Sequence, residues 1–503
     1  MKMNSDFGKK IFKNLPEPIQ NIPIEGNVDV VKCMIENLTG KSADVVLHEF
    51  TAGNVRALGF MFDGMSDQLL VAKTIMNPLI ELADNISVSA QDLPEYVKKK
   101  VVTETDIKDV STLNKAIEDA MGGFFVVFFD ECSTALSFSV QGFERRSVDE
   151  PVSEAQERGG REGFTESFKV NMTLMRRRLR SPDMRFKLRT VGASGNNSIC
   201  LCYMEGRASE KLLSEVERRL DSANFDIVLS TGYLQPFLDT HYLSIFSGVG
   251  VTERPDVACA KICEGKIVII LDGTPFAIYV PHIFVENIHA FDDYANRPFY
   301  TTFMRMLKLV SFIISIALPG IYVALTIFHQ ELFPEDMLFN IVSSEMRTPF
   351  PIMLEALIIH LIFEIMREAG LRMPKTIGHA VSIVGALVIG DAAVTAGLMA
   401  APMLIIVALT AISSYVMPTL YNSVAVLRLV FIVLGGILGL YGVILGLIVL
   451  AVNMTAINPY GVPYTSPFAP IVLPAFRDMI YRQGWKKMSK KIQVNRTLET
   501  EEL

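Results

Sequence analysis

Apolar runs of five or six residues, each followed by an acidic residue, alternate with amphipathic stretches through the first 300 positions. Ala57–Phe62 (ALGFMF) reads as a buried strand closed by an Asp63-Gly64 turn. Ser66–Leu82 then carries helical periodicity that Pro78 kinks or ends. Thr112–Met121 predicts a second helix, Phe124–Phe129 (FFVVFF) a second strand and Ala135–Val140 its hairpin partner. The plan then returns. Ile199–Met204 (ICLCYM), Glu205-Gly206 and a helix over Ser209–Leu220 repeat the first unit, and Ile267–Leu271 (IVIIL) before Asp272 repeats the second. Asp63 matches Glu205, Gly64 matches Gly206, Gly123 matches Gly265 and Asp130 matches Asp272, all at one offset of 142 residues. Two separated matches at one offset predict a duplicated α/β subdomain, against the alternative of chance likeness between generic βα units.

The pattern changes near residue 300. Between Leu309 and Phe476 about 168 residues carry 13 charged side chains, whereas the other 335 residues hold 88, an ordinary soluble density. Stretches 306–328, 380–398, 403–421 and 429–452 are each long and apolar enough to cross a bilayer. Pro319-Gly320 inside the first predicts a hinge, and Gly435, Gly439, Gly442 and Gly446 in the last allow close helix contact. Asp391 lies inside the second and is a further pore or gate candidate, expected as a buried polar contact.

Segment 351–368 is shorter and charged. His360, Glu364, Arg367 and Glu368 share one helical stripe, while Glu355 points nearly the opposite way. Charge at membrane depth is costly, so these groups face water, a partner or one another. In a ring of identical subunits Glu355, His360 and Glu364 would line a pore or gate for cations. The alternatives are ion pairing that satisfies the bundle interior, or an interfacial surface helix. Arg305 and Lys308 place the start of the first span in the cytoplasm, and basic residues from Arg477 to Arg496 place the tail there too. Five crossings would separate them, so one segment is expected not to span.

Overall the fold class reads as an α/β cytoplasmic region of two related subdomains followed by an α-helical multi-pass membrane domain. The boundaries are a flexible segment 1–41, subdomains at 42–144 and 164–300, a linker at 145–163, membrane residues 301–476 and a cytoplasmic tail 477–503. Phe164–Arg189 begins as an amphipathic helix loaded with basic residues. Arg176, Arg177, Arg178 and Arg180 offer a docking face for an acidic subunit or anionic lipid, or simply a solvated surface.

The net charge of −7 leaves no basic field for nucleic acid. Six cysteines without a C-x-x-C pair suit reduced buried thiols, and the first 30 residues contain no apolar signal segment. There is no P-loop, H-E-x-x-H or G-x-S-x-G, and Gly248-Val249-Gly250 lacks the third glycine of a dinucleotide fingerprint. His282, Glu286 and His289 fall at metal-ligand spacing on a helix, yet nothing else supports a metal, and an amphipathic stripe explains them better. No catalytic constellation and no cofactor motif is found, so an enzyme is not expected.

Several stretches together resemble one family: GREGF at 160–164 with MRRRLR at 175–180, TERPD at 252–256, DGTPFA at 272–277, PFP at 349–351, EAL at 355–357 and REAGLRMPK at 367–375. They are similar to the GerA-type spore germinant receptor A subunits, from about residue 140 to Arg482. The resemblance implies a protein of the spore inner membrane, with its large N-terminal region in the spore core. It implies work with B and C subunits, a homo-oligomeric ring and conduction of monovalent cations once a nutrient is sensed. An A-like paralogous channel linked to dipicolinate release shares the motifs. A secondary transporter, with substrate at a helix broken near Pro319-Gly320 or Pro402, is a further alternative, as is a non-conducting scaffold. His360 stands where relatives are expected to carry a carboxylate, which would make a pore here more pH-sensitive.

Overall fold

A computed structural model describes residues 12–13, 22–82, 89–101, 106–142, 151, 154, 159–241, 244–373, 390–471, 476, 478–484 and 492–493. Most of the linker, most of the 380–398 span and most of the tail lie outside these residues.

Two five-stranded antiparallel sheets lie between Val45 and Val280, and a two-stranded pair joins Phe12–Lys13 to Ile492–Gln493. The first holds β1 (Val45–Ala52), β2 (Val55–Phe62), β3 (Ile107–Val110), β4 (Phe124–Phe129) and β5 (Ala135–Ser139), in the order β1-β2-β4-β5-β3. The second holds β6 (Met184–Val191), β7 (Asn197–Met204), β8 (Gly250–Thr252), β9 (Ile267–Leu271) and β10 (Ala277–Val280), in the order β6-β7-β9-β10-β8. The two orders are the same. Helices α1 (Val28–Thr39), α2 (continuous from Gln68 to Ile80) and α3 (Leu113–Met121) serve the first sheet; α4 (Phe168–Arg178), α5 (Glu210–Ser222) and α6 (Pro255–Cys263) serve the second.

The offset of 142 holds for β2 against β7, α2 against α5 and α3 against α6. Equivalent residues also do equivalent work. Asp130 accepts from the first amide of α1, Val28 N, at 3.1 Å, and Asp272 accepts from the first amide of α4, Phe168 N, at 3.2 Å. A carboxylate there satisfies an orphan donor and complements the helix dipole. Gly64 and Gly206 both have φ near +70°, as the turn after each central strand demands.

This symmetry corrects two boundaries. Residues 28–39, read as part of a flexible leader, form α1, whose Val28, Val31 and Ile35 sit in the core of the first subdomain. The first repeat therefore starts before residue 42. The basic helix begun at Phe164 ends at Arg178, because Ser181-Pro182-Asp183 turns the chain into β6.

Beyond residue 297 the longer helices among the described residues are α7 (Pro298–Phe328), α8 (Glu335–Glu345), α9 (Ile352–Arg372), α10 (Ala401–Tyr415) and α11 (Tyr421–Ala456). Helix α10 stops short of the predicted Tyr421 because Pro418 cannot continue it. Two helices, α7 and Pro418–Ala456, are long and apolar enough to cross a membrane. The second is broken. Gly439 has φ +62° and ψ −151°, outside the helical region. A Cβ built on Gly446 would lie 2.8 Å from Leu434 and 3.2 Å from the Phe431 ring. In a straight helix Phe431 and Gly446 would be about 22 Å apart. The 429–452 span is therefore not one rod but the meeting of two arms, 421–438 and 440–456, folded back on each other.

Both open ends of this hairpin meet the second subdomain. Ser423 donates to the Ile245 carbonyl at 2.7 Å, and Ser244 donates to Asn453 at 3.0 Å. Its tip lies at the far end of α7, where a Cβ on Gly439 would touch Phe328 and His329.

Candidate functional site

Pro319 sits inside α7 without interrupting it. Proline has no amide hydrogen, so the carbonyl four residues earlier, Ser315, loses its helical donor. Arg428 of the first α11 arm fills the vacancy, its Nε donating to Ser315 O at 3.1 Å. The proline and the arginine thus form one feature of two crossing helices. The crossing is close because it is made of glycine: a methyl at Gly320 would overlap the Phe431 carbonyl, and one at Gly435 would overlap the Gly320 carbonyl. Pro319 and Gly320, expected as a hinge, are buried in this contact.

Arg428 is 1% exposed and reaches towards α9. Its Nη1 is 3.6 Å from Glu364 Oε1, and Arg367 approaches the other carboxylate oxygen at 4.0 Å. Tyr421 donates its hydroxyl to both oxygens of Glu364, at 2.8 and 2.9 Å. The Arg367 guanidinium lies 3.4 Å from the Tyr421 ring centroid, and Tyr415 stacks on Tyr421 with centroids 6.0 Å apart. Glu364 is therefore neutralised by two arginines. His360, one turn earlier, is also buried, and neither ring nitrogen has a hydrogen-bond partner among the described residues. Glu368 has turned outward to pair with Arg372.

Glu355 belongs to a different place, as its position on the helix implied. It is 1% exposed at the far end of α9, and Oε1 accepts from the Ala400 amide, the N-cap of α10, at 2.6 Å. Asp391 is exposed among the described residues, which corrects its reading as a buried contact. Polar residues on a single apolar segment do not reveal which side faces the bundle.

The arginine run is likewise redistributed. Arg176 is buried, and its Nε and Nη2 donate to Asp44 at 2.7 and 3.0 Å while Phe62 and Phe186 flank the guanidinium at 4.9 Å. It joins the two subdomains inside one chain and is not a docking residue. Arg177 and Arg178 both pair with Glu162, which leaves Arg180 as the exposed member without an ion pair among the described residues.

The His282–Glu286–His289 spacing falls on a short turn, Phe284–Asn287, in place of the expected helix. Glu286 instead gathers His282, Lys261 and Lys266, and His289 turns away to the Met479 carbonyl at 3.2 Å. Burial pushes the Glu286 carboxyl up, but the two ammonium groups outweigh it and hold it well below the carboxylate range. No cluster of three or more metal-ligating side chains occurs among the described residues. Cys132, Cys200, Cys202 and Cys259 are buried thiols, Cys33 is exposed, and burial raises Cys259 to about 12.

The sequence matches the Bacillus/Clostridium GerA spore germination protein family over residues 33–494. The chain belongs to the GerA family. Spore germination protein KA of Bacillus subtilis is 36% identical over 89% of this chain and 82% of its own length. Spore germination protein GerLA of Bacillus cereus is 34% identical over 92% of this chain and 94% of its own. The uncharacterized membrane protein YfkQ of B. subtilis is 34% identical over 97% and 94%. The crystal structure of the N-terminal domain of the A subunit of the Bacillus megaterium spore germinant receptor GerK3 aligns with a TM-score of 0.43 at 25% identity, covering 53% of this chain and 99% of that one.

The stretches that carry the GerA likeness meet in space. Arg254 of TERPD pairs with Asp256 at 2.7 Å and donates to the Gly160 carbonyl of GREGF at 2.6 Å. Glu154 accepts from Thr252 Oγ1 at 2.7 Å and from the Glu253 amide at 3.2 Å; its burial nevertheless raises the carboxyl above its ordinary range. In this GerA-family chain these motifs knit the linker onto the second subdomain. Sequence reasoning missed Arg428 and Tyr421, which lie at the margins of two apolar windows. The available signal was Pro319 itself, since an intrahelical proline calls for a donor at residue 315.

Proposed function

We propose that this chain is the A subunit of a spore nutrient-germinant receptor. It assembles with copies of itself and with B and C subunits in the spore inner membrane, where it conducts monovalent cations when nutrient is sensed. Membership of the GerA family supports the receptor assignment. The observation that carries the conduction reading is a set of buried carboxyl, imidazole and guanidinium groups inside an otherwise apolar helical region. Such groups are retained at bilayer depth where they serve an ion path or its gate.

On this reading the charged residues have different roles. Glu364, compensated by Arg367 and Arg428, locks α9 to α11 and to the proline-freed carbonyl of α7. Glu355 remains an ion-facing carboxyl. The fold-back at Gly439 adds one crossing to the five that the sequence predicts, and an even number of passes puts the tail on the side of the sheets. Arg305 at the start of α7 binds Asp478 of the tail at 2.9 Å, in keeping with that topology. A transporter is less well supported: the break at Gly439 is level with the end of α7, whereas broken helices that bind substrate do so near mid-membrane.

Reconstitution of the full chain with its B and C subunits, with potassium flux measured on nutrient addition, tests the reading. Glu355→Ala is expected to lower flux roughly tenfold, about 1.4 kcal/mol in barrier. Flux absent from the intact assembly, or unchanged in the variant, would refute conduction through this region.

A further inference from the structure

Arg428 has more donors and more charge than its neighbours use. Nε donates to the Ser315 carbonyl at 3.1 Å, but Nη1 and Nη2 have no hydrogen-bond partner among the described residues, and the residue is 1% exposed. The carboxylate in ion-pair range, Glu364, stands 3.6 Å from Nη1, while both its oxygens accept from the Tyr421 hydroxyl at 2.8 and 2.9 Å. Glu364 is also shared with Arg367 at 4.0 Å. His360, one turn before Glu364 on the same stripe of α9, is 1% exposed and leaves both ring nitrogens unused. Two guanidinium groups over one carboxylate leave one positive charge in excess. A guanidinium does not shed its proton, and a protonated Glu364 would only add to the excess.

No other carboxylate of the crossing helices balances that charge. Helix α7 has none, and between Glu368 and Asp478 the sequence holds a single acidic residue, Asp391. Asp391 is exposed, and its neighbour Gly390 lies against Leu404 at the start of α10, whereas it is the other end of α10, Tyr415, that packs on Tyr421. Buried charge is paired or it is costly. We propose that Arg428 and His360 hold a small monovalent anion of the chloride class, which balances the two arginines over Glu364 and fastens α9 to the Pro319 crossing. The donor set suits it: the guanidinium offers a fork of N–H groups and the imidazole one more, and an anion asks for donors alone. A water molecule would satisfy those donors and leave the charge. The side chains of Glu364 and Arg367 are 25% and 23% exposed, which gives the ion its way in.

The inference deepens the locking role given to Glu364 and rests on that reading, but it is tested at equilibrium, apart from flux. Full-length protein in lipid nanodiscs is melted in potassium chloride and in potassium gluconate at equal ionic strength, and chloride NMR linewidths follow the bound ion. Chloride should raise the melting temperature saturably above that in gluconate, and the protein should broaden the chloride line until bromide displaces it. His360→Leu should raise the chloride concentration needed roughly tenfold, the effect of losing one charge-assisted hydrogen bond. Arg428→Met should abolish the difference between the salts, and Arg372→Gln, at the exposed end of α9, should leave it intact. If Arg428→Met fails to fold, His360→Leu and the linewidths of the unmodified protein decide. Equal melting in both salts without line broadening would overturn the proposal, since Arg428 would then meet only water or a carboxylate of another subunit. A chloride effect unchanged in both variants would place the ion elsewhere and overturn it too. Loss of flux with the chloride effect intact would remove only the conduction reading; flux in a chain indifferent to chloride would remove only this one.

Discussion

Among four neighbouring basic residues, Arg176 alone is committed to the interior. Its guanidinium is sandwiched by Phe62 and Phe186 and spends its donors on Asp44 and the carbonyls of Ser181 and Met184. Removing one member of such a pair leaves the other charge buried, which costs about 3–5 kcal/mol. Arg176→Met should therefore lower the unfolding free energy of the full chain by that amount. Arg180→Met, at an exposed position, should move it by less than about 0.5 kcal/mol. Equal denaturation midpoints for the two variants would show that Arg176 does not join the subdomains. The sequence displays the charges of 176–180 but not which faces inward, because that depends on Asp44, 132 residues away. Arg428 escaped for a related reason: its acceptor is a main-chain carbonyl, which leaves no mark in a list of side chains.

At the scale of elements the duplicated sheets were legible and the broken helix was not. Strand runs such as FFVVFF and IVIIL are short and followed by acidic residues, and one offset linked both copies. Symmetry would even have located α1, since 28–39 lies close to one repeat before α4; its polar surroundings hid that. Gly435, Gly439, Gly442 and Gly446 were ambiguous because the same spacing serves a straight helix packed on a neighbour or a helix folded on itself. The structure uses both: Gly435 meets Gly320, Gly439 makes the turn, and Gly442 and Gly446 receive the first arm. Gly435→Leu should disrupt the α7–α11 crossing, because its Cβ alone would overlap the Gly320 carbonyl. Even Gly435→Ala should cost about 1–3 kcal/mol. Thermal unfolding of both in nanodiscs, with Gly232→Ala as a control whose Cβ would meet only Ser230 Oγ at 3.9 Å, measures this. A Gly435→Leu melting curve overlying that of the unmodified protein would mean the crossing is looser than described.

At the scale of the whole molecule, the sheets and the helices meet at a joint that includes several hydrogen bonds to the segment after α11 and to the tail. Phe284 donates its amide to the Tyr464 carbonyl at 2.8 Å, Tyr460 donates to the Leu238 carbonyl at 2.7 Å, and Arg305 ties Asp293 to Asp478. His289 belongs to this joint, bound to the Met479 carbonyl at 3.2 Å. Burial lowers its pKa well below the ordinary value of 6.5, and the nearby positive charges of Arg305 and Lys261 lower it further, outweighing the carbonyl and Glu286. The sign follows from linkage. Unfolded histidine takes up a proton near pH 6.5 and the native ring does not, so stability present above that pH is lost as the pH falls towards the lower folded value. The loss approaches about 1.4 kcal/mol per pH unit. His289→Gln keeps a donor for Met479 but cannot titrate, so between pH 7 and 5 its stability should fall less steeply than that of the unmodified chain. Denaturation of both proteins across that range, read from the tail through a label at the exposed Tyr481, makes the comparison. Parallel pH profiles would mean that His289 is not buried neutral in the joint, and that the tail is held by other contacts: Arg305 and the Tyr294 hydroxyl on Asp478 at 2.9 and 2.8 Å, and Arg482 on the Tyr294 carbonyl at 3.1 Å.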